Sequence, residues 1–342
     1  VNTAMLDDVS LIALLVAMGL YAAAFIAFAL DLARRSALVA DAATAAARQP
    51  SAVGATAARR GGATATLERE PGSSGRDRVA TGPDAPVAAG RSLSLNVAMV
   101  LLGVGFVAHA VATVLRGLAA SRVPWANMYE FAMTGTLLIL SVYLIVLTRR
   151  DLRFLGTFVT GLILILLGIA VVQYRVEVAP LPPSLQSYWL VIHVFVAALG
   201  TGFFALAFAL SGVQLLQFRR ESLAADARAA KMRFLATLPD SVTLESMAYR
   251  LNIVGFIFWT FTLMAGAIWA ERAWGRYWGW DTKEVWTFII WVLYAGYIHA
   301  RATRGWRGSR SAWLAIIGFS AVMFNFGIVN VFFKGLHTYS GL

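Results

Sequence analysis

Four histidines carry most of the ligating chemistry available to this chain: His109, His193, His299 and His337. There is no cysteine, so disulfides, iron–sulfur ligation and thiolate nucleophiles are excluded. Any thiol in a reaction must come from a partner. No H-E-x-x-H pair and no run of clustered Asp, Glu and His suits a divalent metal. G-x-S-x-G, the P-loop and a G-x-G-x-x-G after a strand are also missing. Hydrolase, nucleotide-binding and dinucleotide-binding readings therefore have no support.

Aromatic residues are the second signal. Trp269, Trp274, Tyr277, Trp278 and Trp280 run up to Asp281, with Trp286 just beyond. Five of the eleven tryptophans fall within residues 269–286. Trp and Tyr also gather at membrane interfaces, but a belt of that kind would be spread over several loops. Here the rings are concentrated, with Gly275 and Gly279 between them, and glycine allows close approach to a flat ligand. Aromatic faces beside imidazoles suit a porphyrin, which rings can stack on and histidines can ligate through iron. Asp281-Thr282-Lys283-Glu284 has the spacing of a capping box. That assigns Asp281 to opening a helix rather than to acid–base catalysis.

Composition specifies the elements that must hold these residues. Of 342 residues, 59% are hydrophobic and 14% are charged, whereas a soluble domain carries roughly a quarter charged residues. A bilayer core needs about 20 apolar residues of helix. Eight stretches qualify, at about 9–30, 94–118, 128–148, 154–173, 188–217, 252–270, 285–300 and 313–333. The expected fold is an all-α polytopic membrane protein with about eight transmembrane helices. Residues 31–93 read as a cytoplasmic low-complexity linker, helix-favouring at its alanine-rich start but too poor in large apolar residues to fold alone. The seven-helix unit then occupies 94–342, with its aromatic loop at 269–286.

Charge sets the orientation. The segments 31–93, 149–153, 218–251 and 301–312 hold 22 of the 29 Lys and Arg. By the positive-inside rule they lie inside, so the N-terminus and C-terminus both lie outside. The net charge of +11 is topological by the same argument, with no nucleic-acid partner implied. His193 and His337 then fall near the outer face with the tryptophans. His299 lies roughly 27 Å below Asp281 along its helix, near the inner face. Two sites are expected rather than one. Arg272, Arg276 and Lys283 lie outside against the charge bias and could pair with porphyrin propionates. His109, in the outer half of the second span, is equally compatible with a packed core residue.

The run Trp274-Gly275-Arg276-Tyr277-Trp278-Gly279-Trp280-Asp281, continued by Lys283-Glu284, resembles the WWD signature of the haem-handling proteins of cytochrome c maturation. Within that superfamily the chain is most similar to the CcsA/ResC-type integral-membrane subunit of the system II cytochrome c synthase. The likeness extends to Pro124-Trp125-Ala126-Asn127-Met128-Tyr129-Glu130, Leu238-Pro239, Tyr249-Arg250, Gly255-Phe256, Gly266-Ala267-Ile268-Trp269-Ala270 and Gly335-Leu336-His337. It covers about residues 94–340. Thr282 departs from it, standing where many members have proline.

The resemblance implies that His193 and His337 ligate the iron of haem b at an outer site. It implies that Trp274, Tyr277, Trp278, Trp280, Asp281 and Arg276 bind the macrocycle there. His299 would belong to a lower site whose other histidine comes from a ResB-like subunit. His109 is not among the implied ligands and stays a secondary candidate. The implied activity is a cytochrome c haem lyase, which attaches haem to the C-x-x-C-H segment of an apocytochrome. A thioredoxin-like reductant would keep the apocytochrome thiols reduced, and the implied setting is the bacterial plasma membrane. Two alternatives are a haem exporter without ligation and a b-type electron-transfer subunit. The second usually places facing histidine pairs inside the bilayer, whereas no span here carries two histidines. A structural scaffold with an aromatic belt is the third alternative.

Overall fold

The computed structural model describes residues 2–48, 92–223 and 232–337, with side chains in the first stretch described to residue 41. Within these residues the chain is all-helical. Its long helices are α1 (Thr3–Arg48), α2 (Leu93–Ala120), α3 (Met128–Leu147), α4 (Gly156–Gln173), α5 (Tyr188–Glu221), α6 (Ser241–Trp274), α7 (Thr282–Arg304) and α8 (Ser309–Phe324). A π turn, Asn325–Val329, carries α8 on to Phe332.

Seven of the eight helices are long and apolar enough to cross a membrane. The exception is α7, the expected seventh span. Its 23 residues reach roughly 34 Å at 1.5 Å per residue, so length is not the shortfall. Trp286, Trp291, Tyr294, Tyr297 and His299 occupy positions that Leu, Val and Ile fill in the other helices.

Local sequence sets the helix ends. Ser92, Asn127, Ser187, Asp240 and Asp281 each cap an N-terminus by accepting a backbone N–H. Gly275 and Gly305 close α6 and α7 in the left-handed conformation. The expected break at Pro239 falls just before Asp240 caps α6. The first helix runs well past the expected span end at residue 30, because its alanine-rich continuation favours helix. The rest of the linker, residues 49–91, lies outside the described residues. So do 224–231, in the Ala-rich run before Pro239, and 338–342.

Packing divides the bundle in two. Leu14, Tyr21, Leu102, Met133, Leu140, Ile163 and Leu167 form a core among α1–α4 that reaches Leu206 and Leu210 of α5 and Leu244 of α6. Phe204, Trp259, Tyr294 and Phe319 form a second among α5–α8. The two halves meet where α3 packs on α5. Phe204 and Tyr294 stack with ring centroids 3.6 Å apart, and a Cβ at Gly255 would come within 2.7 Å of the Phe204 ring. Small residues of this kind let membrane helices approach closely. The opposite surface of α2 exposes Val100, Val104, Val107, Val111 and Val114. Spaced three and four apart, they form one helix face, suited to lipid.

Charged groups are buried at one end of the α1–α4 half. The Arg116 and Glu130 side chains are both fully buried. Arg116 donates to Glu130, to Asp7 at 2.5 Å and to the Val176 carbonyl at 2.9 Å. Arg122 donates to the other Glu130 oxygen at 2.6 Å, and the Ala126 amide donates there at 3.0 Å. The Pro124–Glu130 segment is thereby tied to α1, α2 and the chain after α4.

Candidate functional site

Two residues of the chain between α6 and α7, Tyr277 and Trp278, border a cavity walled by α3, α4, α5, α6, α7 and α8. Its lining is mostly apolar and includes Ile139, Leu166, Trp259 and Met323. His193, His337, Trp269, Tyr277 and Trp278 also line it, as do Trp125 and Asn127 of the Pro124–Glu130 segment.

Trp269 is the centre of the histidine pair. Its indole is 2% exposed and donates its N–H to the Ser184 carbonyl at 3.0 Å. His193 stacks on it at 5.8 Å and 15°. His337 meets it edge-on at 5.3 Å and packs against Trp274 at 4.8 Å. One buried tryptophan thus touches two imidazoles that are distant in sequence.

Each imidazole is held through the same ring atom. The Nδ1 of His193 lies 3.0 Å from the Thr262 carbonyl, which can only accept, so Nδ1 carries the proton and Nε2 keeps its lone pair. A Cβ at Gly266 would come within 2.8 Å of the His193 ring, so glycine makes room for this placement. The Nδ1 of His337 lies 2.6 Å from Asp281 Oδ2. Asp281 Oδ1 accepts the Leu336 amide at 3.0 Å, and a Cβ at Gly335 would collide with that oxygen. The hydrogen bond from His337 holds the Asp281 carboxyl below the usual carboxylate range. Ligating histidines in metal sites are oriented in this way, through the nitrogen that does not bind metal.

The capping box forms as the sequence spacing requires. Asp281 caps α7, and the Glu284 carboxylate accepts the Asp281 and Gly279 amides at 3.1 and 2.8 Å. Asp281 therefore serves both as a helix cap and as the acceptor that orients His337. The α7 N-terminus and the chain after α8 are locked together at this residue.

The remaining sequence candidates separate. Trp274 packs behind Trp269, with centroids 4.8 Å apart. Trp280 is 77% exposed with φ of +59° and meets Trp278 edge-on. Arg276 is exposed and donates to the Gly279 carbonyl at 3.2 Å. His299 is exposed on α7 and does not line the cavity. His109 is fully buried, with Tyr21 Oη 3.2 Å from Nδ1 and the Met133 carbonyl 3.0 Å from Nε2. Both its ring nitrogens are engaged, and it too lies away from the cavity. Among the described residues, no group of three or more His, Asp and Glu could hold a metal ion.

Sequence reasoning gave no individual role to Thr262, Gly266, Asn325, Asn330 or Gly335. A backbone carbonyl acting on His193 leaves no side-chain signature. Gly266 and Gly335 carried a signal only through the motifs that contain them.

The fold and site define an all-helical polytopic membrane protein with a paired-histidine, tryptophan-lined cavity at one end. The family model for cytochrome c assembly proteins matches residues 125–337, more than half of the chain and the stretch that includes Trp125, His193, the tryptophan loop and His337. The chain belongs to this family. It is 35% identical over 245 residues to the cytochrome c biogenesis protein CcsA of Guillardia theta, covering 66% of this chain and 80% of the relative. It is 30% identical over 252 residues to CcsA of Chlamydomonas reinhardtii, covering 72% and 69%. It is 29% identical over 271 residues to CcsA of Prochlorococcus marinus, covering 73% and 86%.

Proposed function

We propose that this chain works in cytochrome c biogenesis as the haem-presenting subunit of a cytochrome c haem lyase. In this reading it brings haem b to the outer face of a bacterial plasma membrane, with both termini on that side. It holds haem there while thioether bonds form to a C-x-x-C-H apocytochrome. The observation that carries the reading is the shared geometry of His193 and His337. Both are oriented through Nδ1, both contact Trp269, and both keep Nε2 for iron.

The residues have separable tasks. Thr262 and Gly266 set His193, while Asp281 and Gly335 set His337. Tyr277 and Trp278 offer aromatic surface to the macrocycle from the cavity wall. The apocytochrome thiols add across the haem vinyl groups, each S–H giving one S–C and one C–H bond. The apocytochrome histidine then displaces a ligand of this chain. The rate gain comes from proximity and orientation, with the thiols supplied by the apocytochrome, since this sequence has no cysteine. His299 supports a second, lower site: it is exposed on α7, as is Gly296. A ResB-like subunit docked there would supply the other ligand, and a thioredoxin-like protein would keep the apocytochrome thiols reduced.

The test is co-expression with a ResB-like partner and a C-x-x-C-H reporter, in a host without its own maturation system. Covalent haem on the reporter is the expected result. Haem that copurifies with the complex while the reporter stays unmodified under reducing conditions would favour export without ligation. A His193→Ala, His337→Ala double variant that still matures the reporter without added imidazole would remove the ligand assignment.

A further inference from the structure

The cavity has one polar wall that the histidine geometry leaves unused. Lys283 is the second residue of α7, where the helix dipole favours anions over cations. Its side chain reaches the π turn after α8. The ammonium donates to the Asn325 carbonyl at 2.9 Å and to Asn330 Oδ1 at 2.5 Å. Both acceptors are neutral. Among the described residues, no carboxylate lies within ion-pair distance of it. An ammonium has three donors, so one N–H remains.

The π turn adds two amides. Among the described residues, Asn330 Nδ2 donates to the Met128 thioether at 3.3 Å, a weak acceptor. Asn325 is 5% exposed and its Nδ2 reaches Thr287 only at 3.5 Å, so this donor too is weakly used; its Oδ1, without a partner among the described residues, is an acceptor and offers an anion nothing. Lys283, Asn325 and Asn330 all line the cavity that holds His193 and His337. π turns inside helices are frequent at functional sites. A buried ammonium whose hydrogen bonds go to neutral oxygens, with Asp281 near it but beyond ion-pair distance and weakly used amide N–H groups beside it, matches a carboxylate.

We propose that Lys283, with Asn325 and Asn330, forms a carboxylate subsite that receives a haem propionate inside the cavity. The inference rests on the haem reading above and adds an orientation to it. Propionates and vinyls occupy opposite edges of haem b. Holding a propionate at the α7–α8 wall turns the vinyl edge away from that wall, toward arriving thiols. The three cations singled out from sequence are thereby distinguished. Arg272 is 65% exposed and near Glu271, Arg276 is exposed and bonded to its own loop, and Lys283 alone points inward.

The test is an absorbance titration of the full chain in lipid nanodiscs, with haem b and with its dimethyl ester, corrected for partition into empty nanodiscs. The wild type should bind the diacid about tenfold or more tightly than the diester, the scale of one charge-assisted hydrogen bond. Lys283→Met should bring that ratio close to one, and Lys283→Arg should keep most of it. Asn330→Ala, which leaves the cation in place, should lower the ratio partway and serves if Lys283→Met does not fold. A wild type that binds both equally overturns the subsite and leaves the haem reading standing. An unchanged ratio in Lys283→Met does the same. A wild type that binds neither compound overturns the haem reading, and the subsite with it.

Discussion

Asp281 and His337 are 56 positions apart in sequence, and their Oδ2 and Nδ1 atoms are 2.6 Å apart in the fold. The same carboxylate caps α7 and accepts the Leu336 amide. Asp281→Asn keeps a good capping residue but replaces a charged acceptor with a neutral amide. Helicity should be retained while haem binds about 10–100-fold more weakly, the usual effect of losing a group that orients a ligand. Soret titration of the purified variant measures this. Wild-type affinity in Asp281→Asn would show that the contact does not orient a ligand.

The His193 side can be tested without touching a polar group. Gly266→Ala places a methyl within 2.8 Å of the imidazole, and the ring must turn away from the Thr262 carbonyl. The expected result is a lower share of six-coordinate, low-spin haem, seen by resonance Raman or electron paramagnetic resonance. Circular dichroism should be unchanged, since alanine is the better helix former.

The Asp281 clamp has a defined pH dependence. Its carboxyl titrates below the usual range because His337 donates to it. A depressed folded value means that the clamp stabilises fully above the unfolded carboxylate pKa of about 3.9. That stabilisation is lost as pH falls through the lower, folded value. The difference in melting temperature between wild type and Asp281→Asn should therefore be flat above about pH 5 and shrink below pH 4. A difference that vanished between pH 7 and 5 would assign the clamp to another group.

Much of this arrangement is legible in the sequence because it depends on short-range pattern. Apolar run length gives the spans, Asp281 and Glu284 give the capping box, and Pro239 marks the break before α6. Helix α7 is the instructive exception. Its helical length is plain, yet its tryptophans and tyrosines make it less apolar than its neighbours, since several of them face the bundle. The relations that build the site are long-range and have no local pattern. Nothing near Thr262 says that its carbonyl meets a ring 69 residues earlier. Nothing near Lys283 says that it spans 47 residues to Asn330. The placement of His109 needed the structure for the same reason, because a packed histidine and a ligand look alike in sequence.

The buried charges beside the Pro124–Glu130 segment should dominate stability. Glu130→Ala leaves Arg116 fully buried with Asp7 as its remaining carboxylate, and takes the main partner from Arg122. Removing one member of a buried ion pair costs about 3–5 kcal/mol. Thermal unfolding in detergent should show that loss. Trp125 and Asn127 lie in the same segment and line the cavity, so haem affinity should fall with it. Replacing Arg116 and Glu130 together by apolar residues should cost less than Glu130→Ala alone, because the fully buried guanidinium is removed with its partner and the groups that lose a contact, Asp7 and Arg122, are only partly buried.

His109 offers the sharpest contrast with the ligand pair. Its two ring nitrogens meet Tyr21 and the Met133 carbonyl, in a core shared by α1, α2 and α3. Its work is then to join helices: its loss strands the buried Tyr21 hydroxyl at about 1–3 kcal/mol, while the Met133 carbonyl keeps Thr136 as a donor, and the side chain's own packing is lost as well. His109→Ala should lower the melting temperature and leave the low-spin haem spectrum of the surviving protein unchanged. His193→Ala should do the opposite, with a changed spectrum and a smaller stability loss. Tyr21→Phe separates the two nitrogens of His109: it removes only the Nδ1 contact, so its stability loss should be smaller than that of His109→Ala. A changed haem spectrum in His109→Ala at full stability would make that residue a ligand after all.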